Sequence, residues 1–382
     1  MKRFGRLTMV MLLALTVMSF AVDGEIGPIA QAAETFTIGI SAPLSGISAQ
    51  RGKYIQDAAE FAKDEINSKG GVNGIKFALV YEDNEGNPTK VVNTVTKLIE
   101  QKKVDVLLVS DSSGTMAAIP VVTQAKIPMF MTAFSPKLTA QGSSYVFRAT
   151  VSDKITTAKV AEYAVKELGY DKVAIMASDD SYGQGGAGPA AEALGKMGKP
   201  AVANEKFNRK DQDFSAPLLN INKKGAQIVF VHTYNAPAAL ITKQIHELGL
   251  KMKVIGATAI ASEQYRDLAG ANVVEGVTAL VAFINSNPDP MIQDFVKSFN
   301  KSVGYLPDHN SARAHAAIHL YAKALAQAGS TDRAAIVDAL HKFKNVGLPG
   351  GLFTFDETGE GLNQVMAGRW KNGKLDFLKE FK

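Results

Sequence analysis

From Thr35 onward, short runs of β-prone apolar residues alternate with longer segments in which apolar positions recur every three or four residues. This alternation is the signature of βαβ units built around a parallel sheet. Residues 35–40, 75–81, 105–109 and 129–131 read as strands. Between the first two, Ile55, Ala58, Ala59, Ala62 and Ile66 fall on one helical face, and Gly70-Gly71 ends that helix. Asn87 as cap and Pro88 at the first position open the next helix, with Val91, Val95, Leu98 and Ile99 on its apolar face. The alternation then restarts. Helices over 153–168, 185–197, 214–223 and 236–248 precede strands over 173–176, 202–207, 227–231 and 253–256. After Phe283 the chain turns mainly helical (290–302, 312–328 and 332–342), and Asn372-Gly373 marks a closing hairpin between 365–370 and 374–377.

The pattern predicts two α/β modules of four or five strands each, with no short sequence repeat. A chain of 382 residues is long enough for both, at roughly 100–200 residues per domain. In open parallel sheets, ligands sit outside the carboxyl ends of the strands, so two such sheets facing one another make a cleft lined by post-strand loops.

Composition narrows the class. Apolar residues make up 46% and charged residues 21%, which places the chain among globular proteins. Lys and Arg number 42 against 37 Asp and Glu, dispersed along the chain, which gives no footing for nucleic-acid binding. Cysteine is absent, which excludes disulfides, thiolate catalysis and Cys-ligated zinc. Residues 1–32 read as a secretory signal: Lys2, Arg3 and Arg6 precede an apolar run to Val22, and Ala30-Gln31-Ala32 supplies a cleavage pattern before Ala33. Cleavage after Ala21 is the alternative. A membrane anchor needs about 20 apolar residues, more than the run contains.

The motifs of catalysis are weak or missing. Gly183-x-Gly185-x-x-Gly188 has the letters of a dinucleotide fingerprint, but the glycines stand too far beyond the preceding strand, and a glycine-rich helix start is the plainer reading. His315 and His319 lie one helical turn apart without the adjacent Glu of a metalloprotease helix, so one side of a packed helix accounts for them and no metal is expected. Ser112 and Ser113 lack a histidine at a diagnostic spacing. No catalytic residue and no cofactor is expected. The loops after the strands instead carry hydroxyls and aromatic rings, and Gly114-Thr115 opens a helix whose free N–H groups favour an anion. That chemistry suits a small polar ligand, above all a carboxylate.

The run Ile40-Ser41-Ala42-Pro43-Leu44-Ser45-Gly46, then Gly52, then Asn67-Ser68-Lys69-Gly70-Gly71-Val72-Asn73-Gly74 resembles the opening of type I periplasmic binding proteins of the leucine/isoleucine/valine-binding family. Tyr81-Glu82-Asp83, Asp111-Ser112-Ser113-Gly114, Ser135-Pro136-Lys137-Leu138-Thr139, Phe147-Arg148, Ser181-Tyr182-Gly183, Asp213-Phe214-Ser215 and Gly249-Leu250 continue the match in order. The resemblance implies two Rossmann-like lobes with parallel sheets, joined by a three-strand hinge, closing on a solute and presenting it to an inner-membrane ABC permease. Crossovers near Ala149, Ala282 and Phe353 would divide the chain into a first lobe of 33–149 and 283–352 and a second of 150–282 and 353–382. The expected setting is the periplasm, and the expected state is a monomer.

The resemblance also implies site residues. A serine, Ser112 or Ser113, and the turn of Thr132, Ala133 and Phe134 would hold a ligand carboxylate, with Tyr182 and Tyr234 lining the cavity. Thr258 stands where amino-acid binders place the acid that pairs with the α-ammonium, Phe134 where a hydroxyl is usual, and Arg51 where an aromatic ring is usual. A buried ammonium without its partner costs roughly 3–5 kcal/mol. The expected ligand is therefore a carboxylate lacking an ammonium, such as an aromatic or other organic acid, held by Arg51 and Ser112 or Ser113 against Phe134, Tyr182 and Tyr234. Asp111, Asp180 or Glu263 could supply the missing charge, which keeps an amino-acid ligand open. A ligand-sensing module of the same fold and a hydrolase using Ser113 are the competing functions.

Overall fold

Polar loops at the ends of the strands lead into helices, and in the computed structural model, which describes residues 34–381, this produces two sheets built alike. The expected signal sequence lies outside the described residues. The first half runs β1 (Thr35–Ala42), α1 (Ala49–Ser68), β2 (Lys76–Asp83), α2 (Pro88–Glu100), β3 (Val106–Val109), α3 (Ser112–Gln124), β4 (Met129–Met131) and β5 (Val146–Arg148). Its strands pair in parallel in the order β2-β1-β3-β4-β5. The second half runs α4 (Asp153–Glu162), β6 (Val173–Ser178), α5 (Ser181–Lys196), β7 (Ala203–Phe207), α6 (Ser215–Lys223), β8 (Ile228–His232), α7 (Asn235–Glu247), β9 (Lys253–Gly256), α8 (Glu263–Ala269) and β10 (Thr278–Val281). Its parallel part is ordered β7-β6-β8-β9-β10, the same topology, with the direction of winding reversing between β6 and β8 as it does between β1 and β3.

The chain then adds α9 (Pro290–Val303), α10 (His309–Ala328), α11 (Arg333–His341), the short ribbon β11 (Val346–Leu348) and β12 (Gly351–Phe353), and the hairpin β13 (Val365–Lys371) and β14 (Lys374–Phe381). The hairpin extends the second sheet antiparallel beside β10. Asn372 and Gly373 take φ of 51° and 71°, the left-handed pair that a two-residue turn requires. α10 packs on α1, returning the late helices to the first sheet. Among the described residues, no helix is long and apolar enough to cross a membrane.

Most helix signals act as expected. Asn87 caps α2 by accepting from Thr89 N at 3.0 Å, and Val91, Val95 and Leu98 are buried. Two helices start earlier than the apolar period indicates. α5 begins at Ser181, not Gly185, because Asp180 caps it by accepting from Gly183 N at 2.9 Å. α10 begins at His309, not Ala312, because Asp308 accepts from Asn310 N and Ser311 N. In both, the extra turn is polar and faces the cleft. β5 and β10 are three and four residues long and buried throughout, so they carry no alternation to reveal them.

The chain passes between the sheets three times. β5 leads into α4 through Ala149, whose N–H donates to Met131 O at 3.0 Å, and β10 leads through Ala282 toward α9. Phe355 packs on Phe130 and Phe147 of the first sheet, with ring centroids 5.7 and 5.4 Å apart, and Leu362 bridges to Val151.

Candidate ligand-binding site

The reversals of winding put two pairs of strand ends opposite one another. Arg51 follows β1 and Asp111 and Ser112 follow β3; across the cleft, Tyr182 follows β6, and Tyr234 and Asn235 follow β8. These residues, with Thr132, Ala133, Phe134, Thr258, Ala259, His309, Asn310 and Arg313, line a small cavity between the strand ends. It lies where open parallel sheets place their ligands.

Of the residues expected from sequence, Arg51, Ser112, Thr132, Ala133, Phe134, Tyr182, Tyr234 and Thr258 come together on this wall. Ser113 does not line it; its Oγ is buried in α3 without a hydrogen-bond partner. Ser112 Oγ accepts from Phe134 N at 3.2 Å and Ser135 N at 3.4 Å, which leaves its hydroxyl proton to donate. Arg148 braces the same turn from behind. Fully buried, it donates from Nε to Glu360 at 2.8 Å, from Nη2 to Ser135 O at 2.9 Å, and from Nη1 to Ala133 O.

The aromatic wall is a row. Phe134 and Tyr182 have centroids 5.9 Å apart, and Tyr182 and Tyr234 are 5.0 Å apart. A guanidinium sits at each end: Arg313 over Phe134 at 4.7 Å and Arg51 near Tyr234 at 5.9 Å. Arg51 Nε and Nη2 and Arg313 Nε and Nη1 are buried and have no hydrogen-bond partner. Burial, with Arg51 nearby, pulls Arg313 down to about 9, so it stays charged at neutral pH. Burial also holds His309 neutral, at about 4.

Sequence reasoning missed Arg313, His309 and Asn310, all from the unforeseen first turns of α10. Asn310 receives Nη2 of Arg313 and donates to Asp308 Oδ2 at 2.7 Å, so the helix cap also fixes the guanidinium. The capping signal Asp308-x-Asn310-Ser311 could have revealed that turn.

Among the described residues, Asp111 is the one carboxylate on the wall. Its backbone takes φ of 98°, a conformation costly outside glycine and characteristic of functional positions. Oδ1 accepts from Gly114 N at 3.0 Å, and Oδ2 accepts from the Tyr234 hydroxyl at 3.2 Å. Neither Asp180 nor Glu263 reaches the wall: Asp180 caps α5 beside Arg209, and Glu263 lies 3.6 Å from Arg266.

Hydrogen bonds that join the two sides of the cleft include Tyr234 with Asp111, Arg209 Nη2 with Gly86 O at 3.3 Å, Ser181 Oγ with Ser135 Oγ at 3.4 Å, and Asp153 N with Phe134 O at 2.9 Å. The cleft is thus closed.

The glycines of α5 serve packing. A Cβ on Gly183 would lie 2.1 Å from Ser178 O, and one on Gly186 would lie 2.3 Å from His232 Nε2. His315 and His319 both face Glu65 of α1, at 2.7 and 3.0 Å, and the three potential ligand atoms lie within 4.8 Å of one another. Hydrogen bonding already satisfies them. Metal binding through Nε2 would turn His315 Nδ1, buried and without a partner, into an unpaired N–H donor. The triad therefore reads as helix packing.

The profile of a family described as "Periplasmic binding protein" matches residues 35–374. A Leu/Ile/Val-binding protein homolog of Brucella melitensis is 29% identical over 94% of this chain and 97% of its own length. The branched-chain amino acid transporter substrate-binding protein of Streptococcus pneumoniae, solved with isoleucine, superposes with a TM-score of 0.81, at 26% identity, over 91% of this chain and 100% of that one. A solute-binding protein of Rhodopseudomonas palustris, solved with 3,4-dihydroxybenzoic acid, gives 0.82 at 25% identity, over 91% and 97%. The chain therefore belongs to the type I periplasmic binding proteins, the non-catalytic solute receptors of ABC transporters, and is related to the Leu/Ile/Val-binding proteins.

Proposed function

We propose that this periplasmic receptor delivers an amino acid to its ABC permease, holding the α-carboxylate with Arg313 and the Ser112 hydroxyl and the ammonium with Asp111. The observation that carries this reading is a carboxylate, Asp111, on a wall that also bears two guanidiniums with unpartnered donors. The expectation of an ammonium-free acid rested on Thr258, Phe134 and Arg51; Asp111, one of the acids that kept an amino-acid ligand open, lies on the wall and supports the amino-acid reading. The curated relatives weigh the same way, being named as Leu/Ile/Val-binding or amino acid binding proteins.

The second reading is an aromatic acid without an ammonium. It draws on the row of Phe134, Tyr182 and Tyr234 and on the dihydroxybenzoate held by the R. palustris protein.

The cleft supports a hinge mechanism in either case. A ligand touching Arg51 and Asp111 on one side and Tyr182 and Tyr234 on the other binds the closed form more tightly and shifts the equilibrium toward it. Thermal unfolding of protein stripped of carried-over ligand, against amino acids, aromatic acids and aliphatic acids, tests the assignment. Ligand at a hundred times its Kd adds about 2.7 kcal/mol. A shift with amino acids supports the first reading; a shift with benzoates alone supports the second.

A further inference from the structure

We infer that the amino acid carries a second acid group on its side chain, which Arg51 receives at the Tyr234 end of the cavity. This rests on the amino-acid reading above and goes beyond it.

Arg148 shows how this protein treats a structural arginine: every nitrogen of its guanidinium has a partner. Arg51 and Arg313 differ. Each keeps two buried nitrogens without a partner, and together they face one cavity. An unpaired buried donor is costly, and a charged one more so, so both forks are built for acceptors that arrive with the ligand.

The two forks sit on different rings, Phe134 and Tyr234, with Tyr182 standing between them. Two guanidiniums on one wall, each on its own ring, can receive two acid groups of one molecule. Charge gives the same answer. The acidic and basic side chains on the wall, apart from the neutral His309, are Arg51, Arg313 and Asp111, while Arg209, 5.0 Å from the Tyr234 ring, faces Asp180 at 3.8 Å. An aliphatic amino acid, with one carboxylate and one ammonium, leaves a buried guanidinium uncompensated. An acidic amino acid brings two carboxylates and one ammonium and matches all three groups. The arginine also stands where branched-chain binders are expected to place a ring, which exchanges an apolar subsite for a cationic one.

The test is titration calorimetry of the ligand-free protein with glutamate and aspartate, their amides glutamine and asparagine, the diacids glutarate and succinate, and leucine. The acidic amino acids should bind at least tenfold more tightly than their amides, than the diacids and than leucine. In Arg51→Gln, the preference for acid over amide should collapse to within about threefold while amino-acid binding persists, each tenfold being about 1.4 kcal/mol. Leucine or an amide binding as tightly as the acid overturns the second acid group and leaves the amino-acid reading standing. A diacid binding as tightly as glutamate, or benzoates binding while every amino acid fails, overturns the amino-acid reading itself, and this inference with it.

Discussion

The Tyr234 hydroxyl donates to Asp111 Oδ2 across 3.2 Å, joining the end of β8 in one lobe to the end of β3 in the other. Burial and the Asp111 charge both raise the phenol well above its ordinary range, so it remains a donor at any physiological pH. The bond spans the cleft at the edge of the cavity that both residues line.

Tyr234→Phe keeps the ring and removes this bond. A hydrogen bond to a charged group contributes about 1.5–3 kcal/mol, so Kd for the ligand should rise roughly tenfold or more. Calorimetry checks the affinity, and an unchanged unfolding midpoint of the free protein shows that the loss belongs to binding.

Arg148 is the brace behind the ligand turn. Arg148→Met leaves Ala133 O without its donor and takes the charged partner from Glu360, which keeps Thr139 Oγ1; losing a hydrogen bond to a charged group costs about 1.5–3 kcal/mol. The urea midpoint should fall accordingly. Ligand affinity should fall as well, because Ala133 and Ser135 lose the group that fixes their carbonyls.

Acid should weaken the fold in a defined window. His309 and His315 are both pushed by burial from 6.5 down to about 4. Between those values the unfolded chain takes up protons that the native protein refuses, so the stability they contribute is complete above pH 6.5 and is lost as pH falls toward 4. Each contributes on the order of 3 kcal/mol across that range. Urea unfolding at pH 7, 5.5 and 4.5 should show the decline, and His315→Gln should flatten part of it.

Two glycines of α5 should answer the same substitution in opposite directions. Gly186→Ala drives a methyl into His232, which pairs with Asp153 at 3.1 Å, and should destabilise by at least about 2 kcal/mol. On Gly195, which is exposed, the corresponding position has nothing within 4 Å beyond its own helix and chain neighbours. Gly195→Ala should stabilise by about 0.5–1 kcal/mol through helix propensity. Thermal melts of both variants decide the point.

Much of this fold was legible in the chain because its helices are amphipathic and its strands sit between turn signals. Val91, Val95 and Leu98 could hardly belong to anything but the buried face of a capped helix. Legibility failed where period and function part company. The first turns of α5 and α10 are polar, glycine-rich or charged, since they face a cavity instead of a core; the apolar period is silent there, and with it Arg313, His309 and Asn310 went unseen. The choice among Asp111, Asp180 and Glu263 as a partner for an ammonium stayed open in the sequence for a related reason: they follow different strands, and only the folded chain shows that Asp111 shares a wall with Thr258 while the other two do not.

The central claim is that Asp111 receives a ligand ammonium. Its most direct test is calorimetry of the wild type and Asp111→Asn with the tightest-binding amino acid and with the same molecule lacking its amino group. The wild type should bind the amino acid at least tenfold more tightly than the deaminated acid, and Asp111→Asn should lose that preference while still binding the acid. Equal or tighter binding of the deaminated acid by the wild type would contradict the assignment of Asp111.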